Sequence, residues 1–241
     1  MKNYLFDFVL AFTIKKEKDI LKFNNEILKN LVGYNFCILF FFDSSRDMCT
    51  YNNFSKFYKN KKNIFIIYDP FTKNLADAYF KTYKKAVTLD AKWVISMNGG
   101  FRHDPTDLKL FLRSMHRNID CMWGYRTRLK NKSPFIRKFI SKSGDILSRL
   151  LLKISYPDLT SGFYAIRKNI LKYHLNEIIS FTSKFHFFDT ELKYILKDKK
   201  SIFIPINYTT YNRTMKINII LDSITVLLLL FYRNLKSKYA Y

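Results

Sequence analysis

Apolar runs of strand length, alternating with segments of helical periodicity, constrain this chain more than any other feature. Phe6–Phe12, Phe36–Phe42 (FCILFFF), Asn63–Tyr68 (NIFIIY) and Lys92–Met97 (KWVISM) are nearly unbroken apolar runs, the pattern of strands covered on both faces. Lys18–Leu31 sets Ile20, Leu21, Phe23, Ile27, Leu28 and Leu31 at helical spacing. Leu75–Leu89 and Pro105–Arg117 read as further helices, and Ile119–Trp123 as a fifth strand. Strands separated by helices predict βαβ units, hence an α/β fold with a mostly parallel central sheet flanked by helices. In the second half, Arg137–Lys153 and Phe187–Lys197 read as helices and Ser161–Ile166 as a strand. Ser201–Tyr208 (SIFIPINY) is a strand whose Pro205 suggests a sheet edge or a strand end. There is no internal repeat, Gly/Ser linker or low-complexity block. The 241 residues therefore read as one domain over 1–215, followed by a C-terminal apolar helix and basic tail over 216–241.

Charge narrows the partners. Lys and Arg number 42 against 19 acids, a formal net charge of +23. A general Lys, Asn, Ile, Phe and Tyr bias accounts for much of this; the rest asks for an anionic partner such as a nucleic acid, a membrane surface or a phosphorylated substrate. The basic residues are scattered and form no nucleic-acid module, so no nucleic-acid partner is expected. Cys37, Cys49 and Cys121 have no CxxC or Cys/His spacing, which argues against a disulfide framework or a structural zinc. Met1–Phe12 carries Lys2 and Asp7 and does not read as a signal peptide. The apolar stretch Ile217–Tyr232 is broken by Asn218 and Asp222 and is shorter than the roughly 20 residues of a spanning helix. Arg233, Lys236 and Lys238 lie beyond it. It suits docking on an anionic bilayer surface and equally a helix packed on the sheet.

In an open α/β sheet, ligands sit beyond the carboxyl ends of the strands. That singles out the residues after Phe12, after Phe42 (Asp43-Ser44-Ser45-Arg46-Asp47), after Tyr68 and after Met97 (Asn98 to Pro105). Gly is scarce, with six in the chain, yet Gly99-Gly100 sit just past a strand, Gly124 ends another, and Gly162 lies in the Asp158–Phe163 run. Retention in a Gly-poor composition points to a geometric need at these turns, either a ligand's close approach or an ordinary loop.

Several segments, in order, resemble glycosyltransferase family 2, in its dolichol-phosphate mannose synthase and polyprenyl-phosphate glycosyltransferase branch. Asp158-Leu159-Thr160-Ser161-Gly162-Phe163-Tyr164-Ala165-Ile166-Arg167-Lys168 resembles the branch's D-x-T-S-G-F-x-A-x-[RK]-[RK]. Phe41 to Asp47 resembles V-D-D-G-S-x-D, and Asn74 to Ala78 the G-x-x-x-A segment. His103-Asp104-Pro105 matches the end of D-A-D-x-Q-H-D-P. Gly124-Tyr125-Arg126 resembles G-S-R, Arg137 with Ser141-Lys142 resembles R-x-x-S-R, and Pro205 to Tyr208 resembles P-I-x-[FY]. The resemblance spans roughly residues 6 to 217 and implies a GT-A nucleotide-sugar fold. It implies inverting transfer of a mannose- or glucose-type sugar from GDP-mannose or a UDP-sugar to a polyprenyl or dolichyl phosphate. It also implies a cytoplasmic protein peripherally associated with the membrane, and a partner membrane subunit.

The departures from this pattern fall on the chemistry. The family's metal-binding D-x-D corresponds to Asn98-Gly99-Gly100, and its nearby Gln to Arg102. Mg or Mn is expected for the family, but a hard cation wants carboxylate oxygens, so no metal ligands are assigned here. Phe42 replaces the first acid of the D-D pair, Ala11 to Glu17 is a poor match to P-x-Y-N-E, and Tyr211 to Lys216 keeps only the Lys of R-x-x-G-x-S-K. Two readings follow. In one, the chain is a metal-independent transferase in which Arg102, Arg126, Arg137 and Lys216 supply the catalytic positive charge, and Asp43, Asn98, Gly99, Gly100, Ser161 and Gly162 hold the donor. In the other, it is a catalytically degenerate relative serving as a binding or partner subunit. Asp104 reads mainly as a helix cap before Pro105. Asp189 and Glu191 read as acids beside the acceptor or on a solvated helix face, His116, His174 and His186 as surface or core histidines, and Lys59–Lys62 as a solvated turn.

Overall fold

The computed structural model describes residues 4–14, 19–43, 48–115, 118–131, 135–210 and 216–236. In chain order the elements are β1 (Phe6–Ile14), α1 (Ile20–Asn30), β2 (Phe36–Phe42), α2 (Met48–Tyr58), β3 (Ile64–Tyr68), α3 (Leu75–Ala86) and β4 (Ala91–Ser96). A 3₁₀ turn at Pro105–Asp107 leads into α4 (Leu108–Ser114). Then come β5 (Cys121–Asn131), α5 (Phe135–Leu152), β6 (Tyr164–Arg167), α6 (Lys168–Glu177), α7 (Phe188–Ile195), β7 (Ser201–Thr210) and α8 (Ile217–Lys236).

The strands form one sheet in the order β3-β2-β1-β4-β6-β5-β7. Pairing is parallel except where β6 runs against β4 and β5. The expected α/β architecture with a mostly parallel sheet and a C-terminal helix is therefore present, and Pro205 does lie on an edge strand, β7. Two helices carried no clear signal. The α2 sequence (MCTYNNFSKFY) is rich in Thr, Asn, Ser and aromatics, which are indifferent helix formers. The α6 helix starts at Lys168, directly after β6 ends at Arg167, with no turn residues to announce it.

The core forms on both faces of the sheet. One face packs β1 and β2 against α3, α6, α7 and α8 through residues such as Leu39, Tyr83, Leu171, Phe188 and Leu230. The other packs α1, α2 and α4 through Phe12, Phe23, Phe40, Phe54 and Phe111. Much of the phenylalanine excess goes here. Phe12 stacks on Phe40 at 5.2 Å, and Phe40 meets Phe54 edge-on at 4.5 Å, geometries that add to simple burial.

Pairing direction decides what meets at the carboxyl end of the sheet. Because β6 is antiparallel to β4, with Ser96 opposite Tyr164, the segment entering β6 (Asp158 to Phe163) lies beside the segment leaving β4 (Met97 onward). The β5 strand pairs with β6 at Trp123↔Tyr164 and so carries Gly124 to Arg126 past the same end. Its parallel partner β7 sets Ile206 opposite Arg126 and Tyr208 opposite Leu129. Segments far apart in sequence converge at one end for this reason.

The α8 helix is 20 residues long with a mean hydropathy of 1.5, long and apolar enough by length and composition to cross a membrane. This corrects the sequence estimate, which ended the apolar stretch at Tyr232; the helix runs on to Lys236. Here it is tied to the domain. Val226, Leu227 and Leu230 are buried, Asp222 accepts hydrogen bonds from Ser183 Oγ (2.7 Å) and Lys184 N (2.9 Å), and Asn234 accepts one from Lys197 Nζ (3.1 Å).

Candidate functional site

The loop after β4 is built around His103. Its imidazole is fully buried, and Nδ1 accepts a hydrogen bond from Asn98 N at 3.1 Å, which folds Asn98–His103 into a compact turn. An accepting Nδ1 leaves the hydrogen on Nε2. Burial, and then the charges of Arg126 and Arg102, push the ring's pKa down to about 3, so it stays neutral throughout the physiological range. Asp104 caps the following turn, accepting from Thr106 N at 2.9 Å with Pro105 in the first position; the capping expectation holds. The end of β7 clasps this loop. Thr209 N donates to Arg102 O at 2.8 Å, and buried Asp107 accepts from Asn207 N (2.6 Å) and Nδ2 (2.9 Å).

Beside the loop sits a buried ion pair. Arg126 Nε and Nη2 grip the two Asp158 oxygens at 2.7 and 2.8 Å, a bidentate fork. Nη2 also reaches Thr160 Oγ1 at 2.6 Å, and the guanidinium lies 5.4 Å from the Tyr208 ring centre. Burial pushes the Asp158 carboxyl up, but the Arg126 charge and its hydrogen bonds outweigh it and hold the group at about 2. Lys193 of α7 is completely buried and donates to Leu159 O (3.0 Å) and Ser161 O (2.7 Å), pinning the 158–162 segment from below. One turn earlier, Asp189 accepts from Tyr164 Oη at 3.3 Å. Tyr164 bonds to Tyr83, and Tyr83 to Ser96 Oγ at 3.1 Å. Burial pushes Asp189 up and Lys193 down. Asp189 and Glu191 are both buried, so the solvated-face reading of these acids is corrected. Glu191 takes hydrogen bonds from Thr182 N and Ser183 N, which organises the turn before α7.

Of the residues the sequence singled out, Arg102, Arg126, Asn98, Ser161 and Gly162 share this neighbourhood. Asn98 Oδ1 accepts from Tyr79 Oη at 3.1 Å. Ser161 is buried, and its hydroxyl has no hydrogen-bond partner among the described residues. Asp43 is buried at the end of β2, and its carbonyl accepts from Thr72 Oγ1. Lys216 is exposed just before α8. Arg137 lies in α5, but its side chain is outside the described residues, as are Ser44–Asp47, His116 and 211–215.

The glycines have a packing reason. A Cβ on Gly99 would overlap the Ile14 side chain, one on Gly124 would lie 2.7 Å from Phe163 O, and one on Gly162 would lie 3.3 Å from the Asp189 carboxylate. None has the positive φ that only Gly33 shows among the described glycines. Asp158 and Lys193 are not among the site residues that the sequence singles out, and Asp189 is legible there only as one of two alternatives. Asp158 was in plain view at the head of the Asp158–Lys168 run. A charge inside an otherwise apolar helical stripe is the signal for Lys193.

The Mg or Mn that the sequence resemblance implies does not fit these residues. Asn98 Oδ1 is engaged by Tyr79, Gly100 has no side chain and Arg102 carries like charge. Among the described residues, no group of three or more His, Cys, Asp or Glu is arranged to hold a metal.

No protein-family model matches the chain, and no curated protein resembles it in sequence. Its fold is found in solved structures. Mannosyl-3-phosphoglycerate synthase from Rubrobacter xylanophilus superposes with a TM-score of 0.60 at 10% identity, covering 98% of this chain and 76% of that one. Residues 1–349 of TarS from S. aureus give a TM-score of 0.58 at 13% identity, covering 93% and 65%. The same TarS fragment in complex with UDP-GlcNAc gives 0.54 at 15% identity, covering 87% and 60%. These likenesses establish the GT-A-type α/β fold.

Proposed function

We propose that this chain is a nucleotide-sugar-dependent glycosyltransferase that uses arginine rather than a divalent metal at its donor diphosphate. The donor is GDP-mannose or a UDP-sugar, and the acceptor is a polyprenyl or dolichyl phosphate at the membrane surface. The observation that carries the reading is Arg102. Its guanidinium has no ion-pair or hydrogen-bond partner among the described residues, it lies beyond the carboxyl end of β4, and its charge acts on His103 together with that of Arg126. The β1–β4 boundary is where the strand order reverses, the usual crevice for a nucleotide in such sheets. The fold's neighbours, one of them complexed with UDP-GlcNAc, support the donor class.

The chemistry follows from charge. An oxygen of the acceptor phosphate forms a bond to the anomeric carbon while the bond from that carbon to the donor diphosphate breaks, with inversion. The acceptor phosphate is already ionised, so no general base is needed. Negative charge grows on the leaving diphosphate, and a guanidinium close to it stabilises the transition state. Sugar transfer in the presence of EDTA, falling at least about 100-fold in Arg102→Ala, is the expected result. Failure of calorimetry to detect GDP-mannose or UDP-sugar binding would overturn it.

A second reading has one specific observation behind it. The Arg126 fork is already committed to Asp158 and Thr160, so less of its charge is available for a substrate. A degenerate relative that binds or partners an active enzyme is consistent with that commitment. Binding of the donor without turnover would select it.

The membrane part of the proposal draws on α8 and α5. Leu221, Ile224, Leu228, Leu229 and Tyr232 of α8 are exposed, as are Ile146, Leu147 and Leu150 of α5, and the two helices pack together. Apolar side chains on neighbouring helices, with Arg233 and Lys236 in the last turn, suit the interface of an anionic bilayer.

A further inference from the structure

The two edges of the sheet are built differently. On the β7 edge, Pro205 offers no N–H, and the ladder to β5 shifts register between Arg126 and Arg128. The loop after β4 also closes over that strand, with His103 bridged to Tyr208 and Thr209 N bonded to Arg102 O at 2.8 Å. The β3 edge is bare. Ile64–Tyr68 reads IFIIY, with neither proline nor charge, in unbroken register with β2. Ile38 N donates to Asn63 O at 2.8 Å and Asp69 N to Phe42 O at 2.9 Å, so Asn63, Phe65, Ile67 and Asp69 turn their backbone groups to β2. A parallel ladder then directs the N–H and C=O of Ile66 and Tyr68, and the C=O of Ile64, to the open side. No described residue takes these groups up there; Ile64 N is engaged by Lys61 O at 3.2 Å. An apolar edge of this kind is a template for another strand.

Charge and symmetry select the occupant. Lys59, Lys61 and Lys62 are exposed where the chain enters β3. Where it leaves stand Asp69 and Phe71, the latter 84% exposed with its N–H fastened to Asp69 Oδ1 at 2.9 Å. Two β3 strands laid parallel would set lysine beside lysine, in a head-to-tail contact that does not close. Laid antiparallel about a two-fold axis at Ile66, they set Ile66 against itself and Ile64 against Tyr68. Lys61 then faces the Phe71 ring of the second copy, a cation against a π surface, and Lys62 comes within one residue of Asp69. Lys81 already holds Asp69 at 2.7 Å, so the register is set chiefly by keeping the lysines apart. We propose that β3 is a dimerisation edge, on which a second copy of this chain pairs antiparallel and joins the two sheets into one. Ile66 N and O bond the same groups of the second copy, and Tyr68 N bonds its Ile64 O, in each direction. A five-residue strand buries less than a standard interface, so the dimer is a reversible one. Nothing in this depends on the nucleotide-sugar reading.

The test is sedimentation velocity of the full-length protein from about 1 to about 100 µM, the range of weak specific complexes, paired with amide hydrogen exchange at both ends of the series. A reversible monomer–dimer equilibrium is expected, with the Ile66 and Tyr68 amides exchanging about tenfold more slowly in the dimer. Lys61→Glu combined with Lys62→Glu alters only exposed side chains. It should keep the melting temperature and weaken dimerisation about tenfold or more, since acid then meets Phe71 and Asp69. Ile66→Pro removes an outward N–H without touching the β2 ladder and should abolish the dimer; if that variant does not fold, the double lysine variant decides. A chain that stays monomeric through the series overturns the inference. So does a dimer whose Ile66 and Tyr68 amides exchange as in the monomer, one indifferent to the lysine changes, or growth into open-ended polymers.

Discussion

Two buried carboxylates in one site respond to pH in opposite directions. Asp158 is held at about 2 by Arg126 against its own burial, below the ordinary value of about 3.9. The pair therefore stabilises the fold above roughly pH 4, and that stabilisation is lost as pH falls through about 2. Asp189 is pushed up by burial, to about 7. Between about pH 4 and pH 7 the folded protein holds a proton there that the unfolded chain releases, so this group makes stability fall as pH rises across that window. Asp158→Asn should flatten the acid limb and Asp189→Asn the neutral one, read by chemical denaturation at a series of pH values. Asp158→Ala should also cost about 3 kcal/mol at pH 7, because Arg126 is left with a largely buried charge and no counter-ion. A loss below about 1 kcal/mol would mean that water replaces the carboxylate. Much of this was hidden in the sequence. The motif around Asp158 named the segment, but nothing in one dimension says that Arg126, 32 residues earlier, closes on it, or that Lys193 supports it from a helix.

At the scale of elements, the first half was legible because its strands are covered on both faces and announce themselves as unbroken apolar runs. The reading of FCILFFF as Phe36–Phe42 matches β2. What stayed illegible was direction. A four-residue strand such as β6, YAIR, has no periodicity that says it is antiparallel, yet that single reversal brings Asp158 to Gly162 beside the β4 loop. The retained glycines record such approaches. Gly124 N donates to Phe163 O at 2.8 Å, where β5 leaves its pairing with β6, and an added Cβ would meet that backbone oxygen at 2.7 Å. At Gly99 the obstacle is only the terminal methyl of Ile14, which can rotate. Gly124→Ala should therefore destabilise by about 1–3 kcal/mol, as overpacking does, and Gly99→Ala by clearly less. Equal melting temperatures for the two variants would show that strand β5 yields as easily as a side chain.

For the whole molecule, the question is what the net charge and the exposed apolar helix surfaces do together. A general lysine excess explains a high charge but not why α8 leaves Leu221 and Leu228, 55% and 57% exposed, on one face at a spacing of two helical turns. The opposite side of the same helix is held down by Asp222 and Asn234. Such a helix has a fixed inner face and a free outer one. With cations in its final turn, it fits lying at a bilayer surface better than crossing it while still docked. On the membrane docking proposed above, the positive charge would add roughly 1 kcal/mol of attraction for anionic lipid per basic residue near the surface, and that part is screened by salt. Leu221→Glu combined with Leu228→Glu should abolish co-sedimentation with phosphatidylserine-containing vesicles at high salt and weaken it at low salt, leaving the melting temperature intact because neither side chain is buried. Wild-type binding should weaken, not vanish, as salt rises from 0.05 to about 0.5 M, since the apolar part is unscreened. Binding by the double variant equal to wild type at low salt would assign membrane contact to charge alone and leave the outer face of α8 to a protein partner.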